Sequence, residues 1–213
     1  MRCACILGCG VMTGVGAVLN VAAVQPGETV VVVGCGGVGL SAIQGARLAG
    51  AARIIAVDRR EAALQRACDF GATHTVLSPV DDPQHDKLAA EVRALTDGRG
   101  ADHAFEATGV AALAFLPLKL CRHGGSAVQL SGAHGPVSVE MPQFWWNEKY
   151  LVPLYGGCLP ERDFPRLFEW AERGELQLEA MVTHTYRLAQ LGDALADMLA
   201  GRSAKGVILF DGP

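Results

Sequence analysis

At 213 residues, half of them apolar and 19% charged, the chain has enough material for one large domain, or one domain with part of another. The formal net charge of −4 argues against nucleic acid as the main partner, because such proteins carry a basic excess or stripe. No run reads as long and apolar enough to cross a bilayer, and cysteines and glycines interrupt the N-terminal apolar stretch where a signal peptide needs continuity. The expectation is a soluble cytoplasmic protein with no membrane partner.

Pro26 and Gly27 mark a turn before Thr29–Val33, a β-branched run (TVVVV) of the kind buried on both faces of a parallel sheet. The glycine-rich segment from Gly34 through Gly36 and Gly37 to Gly39 then leads into a helix ending near Gly50. Val38, Ala42, Gly45, Ala46 and Ala49 give that helix a face of small side chains, expected to lie close to the sheet. Arg53–Val57 reads as a second strand with Asp58 at its carboxyl end. The alternation continues with a helix at Glu61–Cys68, a strand at His74–Leu77, a helix at Lys87–Leu95 and a strand at Ala101–Phe105. Val110–Leu120 is a helix that Pro117 should kink or shorten, and Ser126–Leu130 another strand. Leu151–Tyr155 supplies a sixth strand, which Pro153 confines to a sheet edge. After Gly156 and Gly157 come a helix at Pro160–Arg173, an extended segment at Met181–Tyr186, a helix at Leu191–Leu199 and a closing strand at Gly206–Phe210. Strands alternating with helices predict an α/β fold: a Rossmann-type, doubly wound parallel sheet with a short C-terminal α+β extension.

The glycine spacing alone is weak evidence, but its context is specific. A buried strand precedes it, a helix follows, and the acidic Asp58 closes the next strand 24 positions after Gly34, near the spacing of about 20 that dinucleotide sites use. Gly34 permits the tight turn, Gly36 lets backbone approach a pyrophosphate, and Gly39 lets helix and strand pack closely. The helix N-terminus offers unpaired N–H groups and a positive dipole end to phosphate. Asp58 can accept hydrogen bonds from the adenosine ribose, and its charge would repel a 2′-phosphate. Arg59 and Arg60 pull the other way, since arginine there can bind that phosphate. Asp58 holds the position facing the ribose, so NAD is the expected cofactor.

Several segments together resemble the C-terminal part of a zinc-dependent medium-chain alcohol dehydrogenase. Gly8-Cys9-Gly10-Val11-Met12-Thr13-Gly14-Val15-Gly16 is similar to the family's segment entering the coenzyme domain. The glycine-rich turn, Val57-Asp58, Gly71-Ala72-Thr73, Phe105-Glu106-Ala107-Thr108-Gly109, Tyr155-Gly156-Gly157 and the closing GRSAKGVILF of Gly201–Phe210 follow in the family's order. The resemblance implies that Cys9 is a catalytic-zinc ligand, that Thr13 and Val38 line the nicotinamide pocket, and that Lys205 lies near the pyrophosphate. It also implies a division into 1–10 as a remnant of the catalytic domain, 11–155 as the NAD-binding domain and 156–213 as a return segment of the catalytic domain. An alcohol or aldehyde is the implied substrate, and pairing through the LVPLY edge implies a homodimer.

The zinc site implied is incomplete, because a catalytic zinc needs three protein ligands. Seven cysteines, an odd number, do not suggest a disulfide framework, and most are expected to be buried. In a strand Cys3, Cys5 and Cys9 would all point to one face, but their spacing matches no familiar metal site. His74, His103, His123, His134 and His184 are scattered and read as surface or hydrogen-bonded residues. Phe144, Trp145 and Trp146 could wall a site or pack at the domain edge. These 213 residues alone are therefore expected to bind NAD with weak or absent turnover. Two other readings are a non-catalytic NAD-binding or redox-sensing module, and a Rossmann domain for adenosylmethionine, which the Gly8–Gly16 segment and the closing strand oppose.

Overall fold

The computed structural model describes residues 3–132, 135–145 and 149–210. Six parallel strands form the main sheet: β1 (Thr29–Val33), β2 (Arg53–Asp58), β3 (His74–Leu77), β4 (Ala101–Glu106), β5 (Cys121–Gln129) and β6 (Lys149–Leu151). Their spatial order, β3-β2-β1-β4-β5-β6, reverses direction between β1 and β4. That reversal opens a crevice at the carboxyl ends of the strands, where such sheets bind ligands. The expected doubly wound architecture is present.

Successive strand residues feed opposite cores, as the pleat requires. Val30, Val32, Ile54 and Ala56 enter one apolar cluster, while Val31, Val33, Ile55 and Val57 enter the other. All five residues of β1 are buried. Covering both faces needs helices on both sides, and the chain supplies α2 (Gly37–Leu48), α3 (Glu61–Asp69), α4 (Asp86–Ala94) and α5 (Leu116–Leu120).

An N-terminal helical stretch precedes β1, with regular α-helix, α1, at Met12–Gly16 and π-helical turns at Leu7–Val11 and Ala17–Val21. This corrects the expectation of no span-like run. Ala4–Val21 has the length and, at a mean hydropathy of 1.9, the composition of a membrane span. It is 61% buried in the fold, as a core helix of a water-soluble domain also is. The small face of α2 meets this helix rather than the sheet alone. A Cβ on Gly14 would stand 2.6 Å from the Ala42 nitrogen, and one on Gly45 would stand 3.0 Å from Val15 Cα. Two small faces let the backbones approach closely. Periodicity could not say which neighbour they approach, because α2 is covered on more than one side.

Three boundaries move. Pro117 sits in the first turn of α5, after a separate 3-10 turn at Ala111–Leu113, so it starts a short helix instead of kinking a long one. β5 begins at Cys121, and its pairing with β4 slips between Ala101 and His103. Gly124, at φ +72°, lies within that slip. The sixth strand is Lys149–Leu151, not Leu151–Tyr155. Pro153 ends it, and Tyr155 and Gly156 turn through left-handed conformations (φ 47° and 65°). Strand β6 pairs with β5 and stands last in the sheet, so the edge position holds.

The C-terminal part contains α6 (Pro160–Glu172), α7 (Leu178–Met181), β7 (Val182–Arg187), α8 (Leu191–Leu199) and β8 (Lys205–Leu209), with β7 and β8 forming a small parallel sheet. Leu167, Leu176, Leu178 and Met181 are buried in the same cluster as Val30 and Ile43. Gln44 fastens this segment to α2: its Oε1 accepts from the Gln177 amide at 2.7 Å, and its amide reaches Met181 Sδ at 3.3 Å. By contrast no residue of α8 is buried.

Candidate functional site

Four residues, Gly34, Gly36, Gly39 and Asp58, converge on the carboxyl ends of β1 and β2, beside the end of β4. Gly34 leaves β1 at φ +92°, a conformation that favours glycine. A Cβ there would also press on Thr108 Cγ2 at 2.7 Å. Gly36 caps α2 with open space where a Cβ would be, so backbone faces the crevice unobstructed. Gly39 abuts the Gly34 carbonyl and Val32 Cγ1, which seats the helix against the strand. Asp58 ends β2 with a nearly buried side chain. One carboxylate oxygen accepts from the Cys35 amide at 2.9 Å; the other accepts from the Arg60 amide at 3.0 Å. Those bonds fix the carboxylate and leave acceptor capacity facing the cleft.

The cleft holds about 420 Å³, within the range of small-molecule sites. Gly34, Gly36 and Asp58 line it beside Thr108 and Val110, and Met198 and Leu199 from α8 form its outer wall. Lys205 comes from the other direction. A Cβ on Gly37 would lie 2.9 Å from Lys205 Nζ, so the ammonium sits over the first turn of α2. Val38 is half-buried beside it: a Cβ on Gly10 would be 2.5 Å from Lys205 Nζ and 3.9 Å from Val38 Cγ2. A helix N-terminus, a lysine and bare glycine backbone together make an anion-binding concavity. A dinucleotide phosphate fits these residues. Thr13 lies within α1, buried and outside the cleft lining.

The loop that follows β4 is held by Glu106, which is fully buried. Its Oε1 accepts from the Thr108 amide (2.6 Å) and hydroxyl; its Oε2 accepts from Gln129 Nε2 (2.8 Å) and the Ser131 hydroxyl. Four donors on one carboxyl set the path of Ala107-Thr108-Gly109 along the cleft. The family resemblance rests partly on this segment, but its network is visible only in the fold.

Cys9 is exposed, in a π-helical turn. Cys3 and Cys5 are on the same helical stretch, so the one-face arrangement of a strand does not arise. Among the described residues no three His, Cys, Asp or Glu side chains are grouped to hold a metal. Zinc therefore does not fit the described part of this chain as a complete site. Burial of cysteines is also less than expected. Cys35 and Cys121 are buried, Cys3 and Cys158 half-buried, and Cys5, Cys9 and Cys68 exposed. Burial pushes the Cys121 thiol up to about 12, and burial beside Asp163 pushes Cys158 up to about 11.

The histidines sit apart. His103 meets Glu28 at 2.8 Å, His74 meets the Thr73 hydroxyl, and His184 meets the Thr183 hydroxyl and stacks on Tyr186; His134 lies outside the described residues. Phe144 packs edge-on to Phe115 and Tyr150 under the sheet edge, while Trp145 is 71% exposed; Trp146 lies outside the described residues. Sequence reasoning missed Met198, Leu199 and the contact of Arg60 with Gly201, since nothing local says that α8 returns to the cleft.

The strand order and this crevice define a Rossmann-type domain. The zinc-binding dehydrogenase family matches residues 37–173. S-(hydroxymethyl)glutathione dehydrogenase of Synechocystis is 39% identical over 97% of this chain and 56% of its own length. Alcohol dehydrogenase 1 of Pisum sativum is 37% identical over 97% of this chain and 54% of its own length. Among solved structures, benzyl alcohol dehydrogenase of Acinetobacter calcoaceticus superposes with a TM-score of 0.85 at 29% identity, covering 95% of this chain and 55% of that one. An alcohol dehydrogenase zinc-binding domain protein of Burkholderia ambifaria gives 0.83 at 31%, covering 95% and 54%. The chain belongs to the zinc-binding dehydrogenases, the zinc-dependent medium-chain alcohol dehydrogenase family. It spans about half the length of the relatives it matches.

Proposed function

We propose that this chain binds NAD in the β1–β2–β4 cleft and forms the coenzyme-binding part of an NAD-dependent alcohol dehydrogenase. The observation that carries the reading is the pairing of a bare glycine turn and Lys205 at the start of α2 with a fixed carboxylate, Asp58, at the end of β2. Gly36 backbone and the α2 N-terminus bind the pyrophosphate, with Lys205 adding a point charge. Asp58 accepts from the adenosine ribose hydroxyls and repels a 2′-phosphate. When bound, NAD supplies a hydride acceptor. Thr13 and Val38 are assigned to the nicotinamide end by resemblance to the family. The substrate class is an alcohol or its aldehyde.

Cys9 is the one residue assigned to zinc, again by resemblance, and no step of the reading runs through the metal. The 213 residues alone should accordingly bind NAD and turn over alcohol weakly or not at all. The division at residues 10 and 155, a homodimer paired through the β6 edge and a cytoplasmic location belong to the same proposal. Calorimetric titration with NAD and NADP tests it. Saturable NAD binding, with NADP at least tenfold weaker, is the expected result; no binding, or equal affinities, overturns it. Robust zinc-dependent alcohol oxidation by this chain alone would overturn the assignment of weak turnover. A non-catalytic NAD-binding module is the second reading, favoured by the absence of a metal-ligand cluster among the described residues. A longer protein with alcohol turnover would dismiss it.

A further inference from the structure

The cleft's outer wall is built from the part of the molecule with the least packing behind it. Every residue of α8 is exposed or half-buried, and Met198 and Leu199 are 59% and 81% exposed. Such a helix is expected to open locally at little cost. Polar contacts tie its C-terminal end. Asp197 accepts from Tyr186 Oη at 2.6 Å and from Arg202 at 2.7 Å, both within the C-terminal segment. The tie to the Rossmann sheet comes from Arg60. Its guanidinium donates to the Gly201 carbonyl, while its Nε stands 3.5 Å from Asp58 Oδ1.

Gly201 ends α8 and offers its carbonyl to this contact. It turns at φ +64°, and a Cβ there would overlap the guanidinium of Arg60. The left-handed turn belongs to the end of α8, where the Gly201 and Arg202 amides bond back to Met198 and Asp197; the absent side chain is what leaves room for the arginine. Arg59, its neighbour, is exposed and lines the cleft without an ion pair among the described residues.

We infer that Arg60 is a positioning residue: by bridging Asp58 and Gly201 it holds the end of α8 in place as the wall of the cofactor cleft, and it is not a ligand for a 2′-phosphate. The inference about cofactor rests on the NAD reading above; the tether itself does not. An arginine so engaged presents its planar fork to a carboxylate and a carbonyl at once, which lysine cannot reproduce.

The test uses the 213-residue chain without ligand and with NAD or NADP, as wild type, Arg60→Met, Arg60→Lys and Gly201→Ala. Hydrogen exchange of the ligand-free protein is read at the amides of Ala200, Gly201 and Arg202, which bond back to Ala196, Met198 and Asp197. Loss of one charge-assisted hydrogen bond should speed their exchange by about tenfold in Arg60→Met, less in Arg60→Lys, while amides of β1 stay protected. Gly201→Ala adds the strain of a left-handed alanine and should exchange at least as fast as Arg60→Met. NAD and NADP affinities should fall together by roughly five- to tenfold, and the double variant should be no worse than the worse single one. Unchanged exchange overturns the tether. Faster exchange with unchanged NAD affinity overturns the wall. A selective loss of NADP binding in Arg60→Met makes Arg60 a phosphate ligand and overturns the assignment. Failure of the wild type to bind NAD would sink the functional reading, and the exchange data would still judge the tether.

Discussion

The Cys35 amide donates to the Asp58 carboxylate at 2.9 Å, joining the glycine-rich turn after β1 to the end of β2. One side chain thus fixes the turn that faces a phosphate and presents charge to a ribose. Asp58→Ala should weaken NAD binding about tenfold or more, from a lost charge-assisted hydrogen bond. It should also narrow discrimination against NADP, since Arg59 stays at the cleft. Affinity measurements with both nucleotides check this, and unchanged NAD affinity would remove Asp58 from the site.

Lys205 is the most direct probe of the phosphate position. Lys205→Ala should weaken NAD and ADP-ribose but leave adenosine binding unchanged, with a smaller salt dependence. Equal losses for adenosine would place Lys205 elsewhere.

Glu106 is a structural demand more than a binding one. Glu106→Ala removes the buried acceptor of the Thr108 amide and hydroxyl and of the Ser131 hydroxyl, and leaves the Gln129 amide with the Ser131 carbonyl. The expected loss is about 3–5 kcal/mol, a fall in Tm of roughly 10 °C for a chain of this size. Calorimetry reads it; a Tm within a degree or two of wild type would contradict the network.

Acid should destabilise the chain through Asp163 and Asp102. The hydrogen bond from Arg162 holds the Asp163 carboxyl below the usual carboxylate range. For Asp102 burial pushes upward, but Arg122 and the Thr29 amide more than offset it. Both folded pKa values lie below the unfolded value of about 3.9. Their stabilisation is therefore present above about pH 4 and lost as pH falls through the folded values. Urea midpoints measured from pH 6 to pH 3 should decline more steeply for wild type than for Asp163→Asn. Parallel curves would refute the assignment.

Thiol accessibility follows burial. A maleimide at pH 7.5 should modify Cys5, Cys9 and Cys68 in the native chain, while Cys35 and Cys121 react only after denaturation. Peptide mapping decides it, and native labelling of Cys121 would be the contrary result.

The sequence by itself determined the alternation of strands and helices, the glycine turn and the acidic end of β2, because these are local. A β-branched run such as Thr29–Val33, a left-handed Gly34 and a charge closing the next strand each carry their own steric or electrostatic reason. Boundaries drifted where packing competes with local signals: Pro117 opens α5, and β5 extends back to Cys121 through Gly124. What only the tertiary structure decided was long-range. The small face of α2 receives Gly14 and Val15, Lys205 crosses to Gly37, and Arg60 reaches Gly201. Residues this far apart in sequence meet because two faces of the sheet must be covered and the chain has to return to cover them. Periodicity shows that a face is apolar or small, but not which distant segment will lie against it.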